Sequence, residues 1–135
     1  MPGGAIYEDD LLCVSHIGGE EETYLGYLMV ESKRHIPGVA ELTDLEAQMI
    51  GQMVSRLGRA LKASEGVDHV YIFVLGDHVP HLHVHVVGRY PGAPREYWGV
   101  RVDEWPEAPR GREPEIAALV ERLRFHLHSH RIAQG

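Results

Sequence analysis

Hydrophobic and polar positions change their period several times along the chain. Leu11 to Ile17 and Tyr24 to Ser32 are apolar-rich runs of strand length, separated by the polar turn Gly18-Gly19-Glu20-Glu21-Glu22. A shorter run, Ile6-Tyr7, precedes them across Glu8-Asp9-Asp10. Short β-rich runs punctuated by turn residues predict an antiparallel meander. From Thr43 the period changes: Leu45, Met49, Met53, Leu57 and Leu61 recur every four residues, with Ile50 widening the stripe, which predicts a helix. Thr43-Asp44-Leu45-Glu46 has the form of a capping box at its start, and Gly66 suits its end. Asp68 to Leu75 returns to β-branched and aromatic residues and reads as a central strand. The following Gly76-Asp77-His78-Val79-Pro80 is too short for a parallel crossover, so the next strand runs antiparallel to it. Residues 89–112 carry prolines and both tryptophans without a period, predicting an irregular ordered loop over the sheet. A C-terminal helix is expected from Glu113 to about Arg131, with Ile116, Leu119, Val120, Leu123 and Leu127 on one side. Together these elements predict an α+β fold, an antiparallel sheet with helices packed on it, in a single domain over residues 1–135.

The segment His81-Leu82-His83-Val84-His85-Val86-Val87 alternates imidazole and aliphatic side chains with a period of two. In an extended strand this puts His81, His83 and His85 on one face, about 6.6 Å apart, and Leu82, Val84 and Val86 on the other. One face can enter the core while the other presents groups that titrate near neutral pH. Three readings follow. The run can be a polar strand surface. It can be a metal site, since histidines two apart on a strand suit zinc when a further nitrogen or carboxylate joins them. It can also be a nucleophilic site, in which one neutral imidazole attacks phosphorus while its neighbours bind phosphate oxygens and assist the leaving group. A second alternating run, His126-Leu127-His128-Ser129-His130, lies in the predicted C-terminal helix, where the same spacing scatters the rings and cationic side chains favour the helix end.

Composition narrows the field. No run approaches the ~20 apolar residues of a membrane span, and the start Met1-Pro2-Gly3-Gly4-Ala5 lacks the features of a signal peptide. The single cysteine, Cys13, sits among Leu11, Leu12 and Val14 and reads as a buried thiol in a reducing, cytoplasmic setting. A net charge of −7 argues against non-specific nucleic-acid binding, yet leaves room for a local cationic cluster that binds a small anion.

At His81 to Val87 the chain resembles the histidine triad (HIT) family of nucleotidyl hydrolases and transferases, whose signature is His-φ-His-φ-His-φ-φ with φ apolar. The resemblance extends from about Ile6 to Arg89, through Glu8-Asp9-Asp10, Lys33-Arg34-His35-Ile36, Leu42-Thr43-Asp44 and Val86-Val87-Gly88-Arg89, while residues 90–135 form a variable C-terminal part. It implies a sheet of about five antiparallel strands with one long helix and a C-terminal helix, and usually a homodimer. It further implies attack on a nucleotide α-phosphate, at a phosphoanhydride or phosphoramidate bond, through a covalent nucleotidyl-histidine. The middle histidine, His83, is then the nucleophile. His85 contacts phosphoryl and leaving-group oxygens, His81 supports the geometry, and His35 is the family's additional histidine. Arg89 is a candidate phosphate ligand, and Asp77 and His78 lie in the loop before the triad. The family's ribose-binding aspartate has His16 at the corresponding place, its usual loop glutamine appears as Asp77, and a familiar histidine appears as Tyr27. No resident metal is required, although a divalent cation such as Mg²⁺ can accompany a polyphosphate substrate. The expected partners are a small nucleotide and a second copy of the chain, with no nucleic acid and no membrane. Two alternatives stay open: a metal-dependent hydrolase that uses the triad as ligands, and a nucleotide-binding module without turnover.

Overall fold

The computed structural model describes residues 1–77 and 80–134, the side chains of 129–134 excepted. Among the described residues, seven strands and two α-helices follow in the order β1 (Tyr7–Glu8), β2 (Leu12–His16), β3 (Thr23–Tyr24), β4 (Tyr27–Ser32), α1 (Asp44–Glu65), β5 (His69–Phe73), β6 (His83–Arg89), β7 (Arg110–Gly111) and α2 (Glu113–Gln134). The main sheet has five antiparallel strands in the order β1-β2-β4-β6-β5, and β3 pairs with β7 in a separate two-stranded ribbon. This is the α+β arrangement predicted from the alternation of periods, but β5, expected to be a central strand, pairs with β6 alone and forms an edge of the sheet.

The predicted run from Tyr24 to Ser32 is divided in two. Gly26, at φ +83°, takes a backbone conformation that L side chains rarely adopt, and the chain turns there between β3 and β4. The capping box at the start of α1 is formed: Glu46 N–H donates to Thr43 Oγ1 at 3.1 Å and Thr43 N–H donates to Glu46 Oε1 at 2.8 Å. Gly66 closes the helix in the left-handed conformation. Ile50, Met53, Leu57 and Leu61 are buried as expected, but Leu45 is exposed. A strict spacing of four precesses by about 40° per step on a helix of 3.6 residues per turn, so a residue sixteen positions from Leu61 has left the buried stripe. Glu46 takes its place inside, held by Arg34 through two bonds at 2.8 and 2.9 Å.

Both faces of the sheet are used. Leu12, Val14, Leu28, Val30, Val84 and Val86 meet α1 together with Ile116, Leu119, Val120 and Leu123 of α2, so the C-terminal helix belongs to the same core as the sheet. On the opposite face the segment between β6 and β7 folds back with two short 3-10 turns and lays Val102, Trp105 and Ala108 against Tyr24, Tyr27 and Val87. That second cluster reaches Met29 and Phe73, and beyond them on the same face stand the half-buried histidines. No described helix is long and apolar enough to cross a membrane.

Candidate active site

Strand β6 supplies the site because its alternation matches the pleat. Val84 and Val86 point into the helix-side core, whereas His83 and His85 are only half-buried on the other face. His83 lies opposite Glu31 on β4, and His85 lies opposite Met29 on β4 and Phe73 on β5. His81 departs from the expectation of three histidines on one strand. The strand begins at His83, and His81 sits in the approach to it. Its ring is still held beside the others, 5.1 Å from that of His83 between centroids. The approach is pinned by Leu82 N–H donating to the Ile36 carbonyl at 2.8 Å, which brings His35 into stacking contact with His81 at 4.6 Å between centroids. Four of the expected histidines, at positions 35, 81, 83 and 85, therefore form one continuous group.

Each ring has a distinct environment. His85 stacks on Phe73 at 4.7 Å and 13°, and Tyr27 meets it edge-on at 5.6 Å. The Tyr27 hydroxyl lies 2.7 Å from His85 Nδ1. Burial lowers the His85 pKa below the ordinary imidazole value, neighbouring His83 lowers it further, and Asp103 opposes both. Burial, with Asp103 adding to it, pushes the Tyr27 hydroxyl up to about 12, so it keeps its proton at neutral pH. His81 Nε2 is 3.2 Å from the Ser32 carbonyl, which can only accept, so that nitrogen carries the hydrogen. Its Nδ1 faces Glu31 Oε2 at 3.9 Å, and His83 Nε2 faces the same oxygen at 3.8 Å. His83 keeps 28% of its side chain accessible, enough for a ligand to reach the ring from solvent.

The remaining candidates are placed elsewhere. His16 pairs with Leu28 in the sheet and is 2% exposed, on the face away from the triad. Its Nδ1 hydrogen goes to the Ile17 carbonyl at 2.6 Å, and its Nε2 accepts the Gly26 N–H at 2.9 Å. Burial, against the pull of the Ile17 carbonyl, lowers its pKa, so His16 is a neutral core histidine that fastens the β3–β4 turn. The site-facing neighbour on β2 is Ser15, opposite Met29. Arg89 is engaged too: it donates to the Tyr71 hydroxyl at 2.7 Å, and its guanidinium lies 3.7 Å from the centroid of the Trp98 ring. Asp77 is exposed, and His78 lies outside the described residues. Cys13, expected to be buried, is only half-buried and lies opposite Glu31.

Tyr27, Glu31 and Phe73 complete the site, and their contribution emerges only from strand pairing. Tyr27 and Glu31 share a face of β4 by their even spacing, a signal present in the sequence but uninformative until the register against β6 is known. In the C-terminal helix His126 and His128 join no metal-competent cluster among the described residues, and the side chain of His130 lies outside them.

Residues 1–92 match the HIT domain. The chain belongs to the HIT family. No curated protein matches it. Among solved structures, a histidine triad protein from Sinorhizobium meliloti is 26% identical with a TM-score of 0.71, covering 91% of this chain and 88% of that one. A histidine triad protein from Bradyrhizobium japonicum is 25% identical with a TM-score of 0.70, covering 91% and 89%. A third, from Marinobacter aquaeolei, at 23% identity and a TM-score of 0.70 over 93% and 88%, shares the fold. Membership of this family supports a nucleotide-directed, hydrolase-type function in general.

Proposed function

We propose that the protein is a nucleotidyl hydrolase or transferase that attacks the α-phosphate of a nucleotide through His83. The observation that carries this reading is the pairing of an accessible His83 with a neighbouring His85 whose Nδ1 is taken by Tyr27 at 2.7 Å. A protonated hydroxyl donating to Nδ1 leaves the His85 hydrogen on Nε2, aimed away from Tyr27 and available to a phosphoryl oxygen. In the first step the neutral ring of His83 forms a P–N bond while the bond from phosphorus to the leaving group breaks, and the leaving group departs with the electron pair. In the second, water attacks phosphorus, His83 leaves as neutral imidazole, and a proton passes to solvent. The Nε2–H of His85 stabilises charge on the phosphoryl oxygens in both steps. The stack of His81 on His35 supports the strand approach, and no resident metal takes part.

The lowered pKa of His85 bears on the leaving group. A neutral imidazole is a hydrogen-bond donor and a poor acid, so it suits a phosphoanhydride, whose leaving phosphate needs no proton, better than a phosphoramidate, whose amine does. His16 faces the core and Ser15 the site, so ribose recognition relies on groups other than a β2 carboxylate. Arg89 serves the fold by clasping Tyr71 and Trp98, and the protein acts as a cytoplasmic homodimer.

The test is hydrolysis of a panel of dinucleoside polyphosphates, nucleoside triphosphates and nucleoside phosphoramidates by the wild type and His83→Ala. The proposal expects turnover, fastest on anhydrides, that is lost in the variant. Turnover retained in His83→Ala refutes the nucleophile. Saturable nucleotide binding without hydrolysis anywhere in the panel would identify a binding module instead.

A further inference from the structure

We infer that Glu31, His81 and His83 form a binding site for a borderline-soft divalent cation, zinc foremost, and that an ion held there switches the reaction off. The inhibitory half rests on the proposed role of His83. The binding half rests on geometry alone. Glu31 Oε2 lies 3.9 Å from His81 Nδ1 and 3.8 Å from His83 Nε2, and one ligand atom from each of the three residues falls within 4.8 Å of the others. Ligand atoms around a tetrahedral zinc are about 3.3 Å apart, as follows from bonds of about 2.0–2.1 Å. The two gaps to Glu31 Oε2 close with shifts of about half an ångström and the gap between the two imidazole nitrogens with at most about 1.5 Å, which these half-exposed side chains can supply by rotation about their own torsions.

The hydrogen-bond pattern around His81 supports the assignment independently of the distances. The Ser32 carbonyl takes the hydrogen of Nε2, so a neutral His81 turns the bare lone pair of Nδ1 toward a carboxylate oxygen. Two facing lone pairs repel unless a positive centre lies between them. A metal-ligating histidine that donates its other N–H to a backbone carbonyl is the usual way a ligand ring is oriented and its basicity raised. Two imidazole nitrogens and one carboxylate oxygen suit zinc, and three protein ligands leave a fourth position open. On this strand, however, the third ligand is the nucleophile. A nitrogen coordinated to zinc has no lone pair left for phosphorus, so the bound ion suppresses formation of the P–N bond instead of promoting hydrolysis.

The test uses the full chain purified without a histidine tag and stripped with a chelator. Cobalt(II) is titrated and read by its visible d–d absorption, and zinc is measured by competition with a chromophoric chelator. One ion per chain is expected, with binding lost in Glu31→Gln and His81→Ala and kept in His126→Ala/His128→Ala. Hydrolysis of the best anhydride in the panel should fall to about one tenth when free zinc is about ten times its Kd, and should recover on chelation. Glu31→Gln should keep its own metal-free rate when the same zinc is added. No stoichiometric binding, or equal binding by Glu31→Gln, overturns the site, the second result meaning that a proton bridges His81 and Glu31. A rate that zinc leaves unchanged or raises overturns the inhibitory role. If no nucleotide is turned over, the function proposed for His83 falls with its inhibition, while the cobalt and zinc titrations still decide the site.

Discussion

Replacing Tyr27 with Phe removes one hydroxyl and little else, because the ring still packs against Val87 and Trp105 and still meets Phe73 edge-on at 6.4 Å. The loss is the 2.7 Å hydrogen bond to His85 Nδ1. His85 stays stacked on Phe73, so its plane is kept, but nothing then holds its hydrogen on Nε2. A neutral hydrogen bond of this kind contributes about 0.5–1.5 kcal/mol net, which converts to a fall of about 2- to 12-fold in kcat. The fall should appear in kcat more than in KM, since the donated bond strengthens as charge develops on the phosphoryl oxygens. Two further readouts separate this positioning role from simple loss of packing. In ¹⁵N spectra the wild-type His85 should show a protonated Nε2 and a bare Nδ1, and the variant a mixture of both tautomers. The His85 titration midpoint should move up in the variant, because the hydroxyl's bond favours the neutral ring. An unchanged tautomer with an unchanged kcat would refute the reasoning.

Other consequences can be measured on the fold and the rim of the site. The two bonds from Arg34, then the Thr43 backbone, hold Glu46 down at about 2, against an ordinary value of 4.5, so its contribution to folding is present above pH 4.5 and disappears as pH falls toward 2. Glu46→Gln should therefore flatten the acid limb of a stability profile from urea melts between these pH values, and Thr43→Ala should cost about 1 kcal/mol at neutral pH. Arg89→Lys keeps the charge but loses the planar contact with Trp98 and should lower stability by about 1 kcal/mol with KM unchanged. A raised KM with an unchanged melting temperature would instead restore Arg89 as a phosphate ligand.

The part of the site that could be read directly from the chain was the part governed by local period. His83 and His85 alternate with Val84 and Val86, and the pleat alone decides which side each takes. The capping box at Thr43 and the cap at Gly66 are equally local, and both form. What escaped was set by pairing between distant segments. The partnership of Glu31 with His83 and of Tyr27 with His85 depends on the β4–β6 register, which no feature within either strand reveals. His16 lies in an alternating strand, yet its face is decided by the neighbours of β2 and by the Gly26 N–H that it accepts. Arg89 follows the triad on the same strand, but the segment folding back from β6 brings Trp98 over it and occupies it. Leu45 failed for a different reason: spacing of four approximates the helical period over two turns and drifts off it over four.

The account turns on a covalent bond between His83 and phosphorus, and rapid quenching tests that bond most directly. Wild-type protein mixed with excess dinucleoside polyphosphate, quenched in alkali within the first turnover and analysed by mass should carry one nucleoside monophosphate. Acid should remove the adduct, and peptide mapping should place it on His83. Turnover without any adduct, or an adduct on another residue that survives in His83→Ala, would contradict the account.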